Sequence, residues 1–102
     1  MREHQVLIGV VLEEASLTLE QLCDACVVSP DWVTSHVNDG QLQPPGQAPS
    51  QWRFSSRDLS RARQIRRLEV AFDATPELAA LVTDLIEELD ALRAQLRRLG
   101  RG

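Results

Sequence analysis

The chain has 102 residues, 43% of them apolar and 25% charged, enough for one compact domain with an appended helix and too apolar for a disordered tail. Net charge is −4 and unevenly spread: residues 1–52 set Arg2 against seven acids (−6), and residues 53–102 set ten arginines against eight acids (+2). No run approaches the roughly 20 apolar residues that span a bilayer. The short stretch Val6–Leu12 lacks a basic leader and a small-residue cleavage site, so a cytoplasmic protein is expected.

Val6–Leu12 is β-branched and apolar and reads as a first strand or extended edge. Thr18 then offers an N-cap, and Leu19, Leu22, Cys23 and Cys26 follow at i, i+3, i+4 and i+7, one face of a short helix. Ser29-Pro30 starts a second helix, with Val33 and Val37 turned inward and Asn38-Asp39-Gly40 as its stop. Two short helices across a tight turn make a helix-turn-helix over about Thr18–Asn38. Val27 stands at the corner, where a positive φ is costly for valine, so a different turn is expected there.

Gln41–Ser50 carries Pro44, Pro45, Gly46 and Pro49 and reads as a loop or wing between two strand-like pieces. Trp52-Arg53-Phe54 alternates back into the core, with Trp52 and Phe54 on one side. Ser55 or Ser56 caps a third helix reaching about Phe72, with Leu59, Ala62, Ile65, Leu68 and Phe72 as its apolar stripe. Thr75-Pro76 opens the last helix.

In that helix Leu78, Val82, Leu85, Leu89, Leu92, Leu96 and Leu99 recur at alternating spacings of four and three, and Gly100 is expected to end the run. The pattern predicts a coiled-coil seam of about three heptads. Either a second copy of the chain or the third helix must cover it. The charges favour an antiparallel homodimer: Asp84, Glu87, Glu88 and Asp90 precede Arg93, Arg97, Arg98 and Arg101, so opposed helices lay acids beside arginines. The helix dipole accounts for part of that gradient without any partner.

The fold class is therefore mainly α: a winged helix-turn-helix over residues 1–73 and a coiled-coil dimerisation helix over 74–102. The order of elements resembles the MerR family of transcription regulators over nearly the whole chain. Members of that family place an arginine and tyrosines in the recognition helix and an arginine in the wing. This chain has Thr34, Ser35 and His36 in that helix and Trp52 at the wing. Nearer still, Leu22-Cys23, Ser29-Pro-Asp, Gln-Trp52-Arg-Phe54, Arg63-Gln-Ile-Arg-Arg-Leu68 and the leucine helix together resemble the CbpM family of chaperone modulators. That resemblance implies a MerR-like fold that binds the J-domain of a DnaJ-like, CbpA-type co-chaperone. It also implies that such binding suppresses co-chaperone work with DnaK and attachment to DNA.

Charge points the same way. DNA binding takes about 6–10 phosphate contacts from Lys and Arg, and residues 3–52 contain neither. An acidic helix-turn-helix instead complements a basic protein surface such as the one J-domains generally present. The expected partner-binding residues are Glu20, Asp24, Asp31 and Asp39, with Trp32 as an aromatic anchor or simply a cover of the domain. The alternative is a MerR-like DNA-binding regulator that touches phosphates with the wing and with Arg57, Arg61, Arg63, Arg66 and Arg67 of the third helix; an adaptor for some other basic protein is a third reading.

Cys23 and Cys26 fit C-x-x-C, but no second cysteine pair exists, and His4 and His36 lack metal-ligand spacing. Both cysteines lie on the apolar face of their helix and read as small hydrophobes. There is no glycine-rich phosphate loop, no paired carboxylates beside a base and no nucleophile triad. No catalytic residue, metal or cofactor is expected.

Overall fold

The computed structural model describes residues 16–101, so the strand reading of Val6–Leu12 lies outside it. Four helices follow one another: α1 (Leu19–Cys26), α2 (Pro30–Asn38), α3 (Ser56–Phe72) and α4 (Pro76–Arg101), with a 3₁₀ turn at Pro49–Gln51. The architecture is mainly helical and MerR-like. Among the described residues the strand-like component is a single antiparallel bridge between Leu17 and Phe54, closed by two backbone hydrogen bonds of 2.8 Å.

Each helix starts where a short polar side chain can take an orphan N–H of its first turn. Thr18 Oγ1 accepts from the Gln21 amide at 3.1 Å, and Gln21 Oε1 accepts from the Thr18 amide at 2.8 Å, a reciprocal capping box. Ser29 Oγ accepts from Trp32 N at 3.1 Å. Ser55 and Asp58 form a second reciprocal box at the head of α3. Thr75 Oγ1 accepts from Leu78 N at 3.1 Å.

The α1–α2 corner differs from expectation. Val27 takes the left-handed backbone, φ 57° and ψ 53°, and the Val28 amide donates to Cys23 O at 3.1 Å. A left-handed cap turns the chain within two residues, so Ser29 can cap α2 at once. The packing of two helices outweighs a conformational cost of about 1–2 kcal/mol.

Leu22, Val33, Leu42, Phe54 and Ala62 are fully buried and form the main core with Trp52, Cys23 and Leu59. Leu42, the one leucine of the loop, is drawn in because the amides of Gln41 and Leu42 both donate to His36 O and fold the chain back under α2. Gly46 is required in the same loop: its φ is +112°, and a Cβ there would stand 2.6 Å from Gln51 O.

A second cluster, Ile65 with Ala79 and Ala80, joins α3 to α4. The face of α4 that meets α3 is thus built from small residues, Ala79, Ala80 and Thr83. The leucine seam does not cover α3. Leu78, Leu85, Leu89, Leu92, Leu96 and Leu99 are all exposed, while Val82 is half-buried. Two further expectations are corrected. Phe72 is 73% exposed, because it ends α3 just where Asp73, with φ 51°, turns the chain away. Gly100 does not stop α4, which keeps helical backbone through to Arg101; glycine ends a helix only where the chain enters the left-handed region, and otherwise costs about 1 kcal/mol against alanine.

Candidate protein-docking face

Trp32 and His36 lie one turn apart on α2 with their rings stacked, centroids 3.9 Å apart. Both meet the same carboxylate on α3. Trp32 Nε1 donates to Glu69 Oε1 at 2.7 Å, and His36 Nε2 lies 2.8 Å from Glu69 Oε2. The other ring nitrogen, Nδ1, lies 2.8 Å from Trp32 O. His36 is buried, and Trp32 packs against both apolar clusters. The indole therefore covers the domain with its body while a polar strut fixes its orientation. Sequence reading missed this strut. Its only trace in the sequence is the i, i+4 pairing of Trp32 with His36, and nothing local links either residue to a carboxylate more than thirty positions away.

The four acids expected to bind a partner are all exposed. Glu20 and Asp24 stand one turn apart on α1, Asp31 sits in the first turn of α2, and Asp39 caps its far end. The ion pairs among the described residues are His36–Glu69, Arg61–Asp84, Arg61–Glu87 and Arg66–Glu69, so none of these four acids is neutralised by a cation among those residues. The structure brings Asp24 and Trp32 together on one cleft of about 550 Å³ at the helix-turn-helix corner, lined also by Val27, Val28 and Arg66. Asp39 is remote from that cleft, about 12 Å along α2 from Asp31 at 1.5 Å per residue.

The arginines of α3 are less free. Arg61 Nε donates to Gln41 O at 2.7 Å and its Nη1 bonds Asp84 at 2.7 Å and Glu87 at 3.0 Å. Arg66 leans on Glu69 at 3.9 Å. Arg57, Arg63 and Arg67 have no carboxylate partner among the described residues. A larger cleft of about 620 Å³ opens beside the loop, but Arg53, Arg57 and Arg61 there face Asp58, Asp84 and Glu87, so its charges balance.

Cys23 and Cys26 are free thiols. Burial pushes Cys23 up from its ordinary value, helped by the Asp24 and Glu20 carboxylates. Burial raises Cys26 as well, with Arg63 opposing and Cys23 adding to it. Both shifts disfavour the thiolate that redox or metal chemistry requires. Among the described residues no group of three or more His, Cys, Asp or Glu is placed to hold a metal, and no helix is long and apolar enough to cross a membrane.

The family described as "MerR HTH family regulatory protein" matches residues 17–101. The chaperone modulatory protein CbpM of Pseudomonas entomophila (strain L48) is 33% identical over 89 residues, covering 83% of this chain and 88% of that one. CbpM of Pseudomonas putida (strain W619) is 29% identical with the same coverage. CbpM of Coxiella burnetii (strain Dugway 5J108-111) is 24% identical over 98 residues, 95% of this chain and 92% of that one. No solved structure gives a significant match. A MerR-type helical scaffold, matched nearly end to end by proteins of one name, places this chain in the CbpM family of chaperone modulatory proteins.

Proposed function

We propose that the chain is a modulator of a DnaJ-like, CbpA-type co-chaperone, which it inhibits by holding the J-domain against its acidic helix-turn-helix face. The relatives' shared name supports a chaperone role. The observation that carries the finer reading is the set of exposed carboxylates, Glu20, Asp24, Asp31 and Asp39, without a cation partner among the described residues. Exposed carboxylates left unneutralised attract a cationic partner and repel phosphate. Trp32, fixed by Glu69, supplies a rigid aromatic surface among them.

In this reading residues 1–73 form the docking domain and 74–102 the dimerisation helix. A second copy packs antiparallel along Leu78, Val82, Leu85, Leu89, Leu92, Leu96 and Leu99. The protein works in the cytoplasm without catalytic groups or cofactors. Direct DNA binding is not part of its work, because three unpaired arginines on α3 fall short of the usual contact number of about 6–10.

The test is functional. Added to DnaK with its CbpA-type co-chaperone, the protein lowers co-chaperone-stimulated ATP hydrolysis in proportion to its concentration. The variant Asp24→Arg/Asp31→Arg does so at least tenfold less well. Unchanged ATP hydrolysis at saturating wild-type protein contradicts the proposal.

A further inference from the structure

Val27 is a poor residue for the place it occupies. Its backbone lies in the left-handed region, which β-branched side chains adopt least readily. Its side chain is 84% exposed, so no core contact offsets that strain. Glycine would make the same turn without strain, and asparagine with little. What valine adds is an apolar knob projecting from the corner, and a strained, exposed residue of this kind points to use rather than to support.

The surroundings fit such a use. The knob borders the corner cleft of about 550 Å³, with Val28 and the Trp32 indole as its other apolar walls. Trp32 is held by a 2.7 Å bond to Glu69, so this wall is ordered before any partner arrives. Asp24 lines the cleft, Glu20 stands one turn earlier on α1, and Asp31 directly precedes Trp32. Arg66 is the one cation of the lining, and it leans on Glu69 at 3.9 Å. An apolar centre with one carboxylate on its rim and two more on the adjoining turns is the arrangement that buries one hydrophobic contact beside polar ones.

We infer that Val27 is the centre of the partner-docking surface, and that the partner lays a cationic segment across the helix-turn-helix corner. One apolar side chain of that segment packs between Val27 and Trp32, while its Lys or Arg reach Glu20, Asp24 and Asp31. The inference rests on the reading that the occupant is the co-chaperone, and it adds the residue on which docking turns. Asp39, at the far end of α2, lies outside this surface and acts on encounter only.

Two substitutions test it, because they move stability and binding in opposite directions. Val27→Gly and Val27→Asn relieve the backbone and leave the thermal midpoint unchanged or higher. Titrated calorimetrically with full-length co-chaperone, both lose affinity at least tenfold relative to wild type. Variants that bind as wild type does overturn this surface while leaving the proposed function standing. A midpoint that falls in step with affinity also overturns it, since the valine then serves the fold. Wild-type protein that fails to bind the co-chaperone at all overturns both.

Discussion

Glu69 lies on a helix that also carries five arginines, and its two oxygens face the Trp32 indole and the His36 ring at 2.7 and 2.8 Å. Removing it strands a partly buried indole N–H and a buried imidazole, each costing about 1–3 kcal/mol when unpaired. Glu69→Ala is therefore expected to lower stability by about 2–3 kcal/mol, with glutamine recovering a good part of it. Urea denaturation measures both; an alanine variant within about 0.5 kcal/mol of wild type would mean that water replaces the carboxylate freely. Trp32 loses its fixed orientation in the same variant, so co-chaperone inhibition weakens with stability. The thiols give a second residue-scale test. Burial first, and the neighbouring carboxylates second, raise Cys23 above its ordinary value, and burial raises Cys26 as well. A raised value means less thiolate at any pH below it, and the thiolate is what reacts. Iodoacetamide at pH 8 is expected to label both more slowly than a cysteine peptide, with the rate still rising at a pH where that of the peptide has levelled off. Labelling faster than the peptide would reverse the sign of the argument.

At the scale of elements, α4 poses the main physical problem. It has 26 residues, about 39 Å, against 17 residues and about 25 Å for α3. The two run antiparallel, so the head of α3 at Ser56 and Arg57 comes level with Glu87 and Asp90. Beyond Asp90 no part of α3 remains alongside, and Leu92, Leu96 and Leu99 are 51%, 67% and 75% exposed. A helical segment of that length is marginal alone in water, and each of its leucines gains about 1.5–3 kcal/mol on burial. We expect Leu92→Asp/Leu96→Asp to sediment as a monomer under conditions where wild type is a dimer. Wild-type thermal midpoints should rise with protein concentration; a concentration-independent midpoint and a wild-type monomer would remove the dimer. The helix starts were legible in the sequence because caps are local: Thr18, Ser29, Ser55 and Thr75 each reach only three residues ahead. The seam was legible because its period spans the whole helix. The Ala79–Thr83 face that meets α3 was not, because small residues at a tight helix contact leave no hydrophobic signal. Val27 was misjudged for the opposite reason: its propensity argues against the turn, and tertiary packing imposes it.

Over the whole molecule, charge is the organising property. Residues 16–52 hold Glu20, Asp24, Asp31 and Asp39 with neither lysine nor arginine, while the arginines gather on α3 and the end of α4. The exposed carboxylates of the candidate site were legible in the sequence, since that segment holds four acids and no lysine or arginine. Its centre was not. The cleft joining Asp24, Val27 and Trp32 forms only when α1 and α2 meet at a left-handed corner, and the Glu69 strut comes from a helix thirty residues downstream. Screening follows from the same charge pattern: exposed carboxylates lose their pull on a cationic partner beyond about 8 Å at physiological salt. Association rates with the co-chaperone should therefore fall steeply between low and physiological ionic strength, while dissociation, set by the apolar centre, changes little.

A fluorescence-detected titration of the same protein with full-length co-chaperone and, separately, with duplex from its own promoter, at several salt concentrations, decides between a protein and a nucleic-acid partner. Co-chaperone binding is expected to be saturable, to weaken with salt and to be lost in Asp24→Arg/Asp31→Arg, with no saturable duplex binding at physiological salt. Tight, sequence-dependent duplex binding that requires the helix-turn-helix residues, with the co-chaperone left unbound, would contradict that expectation.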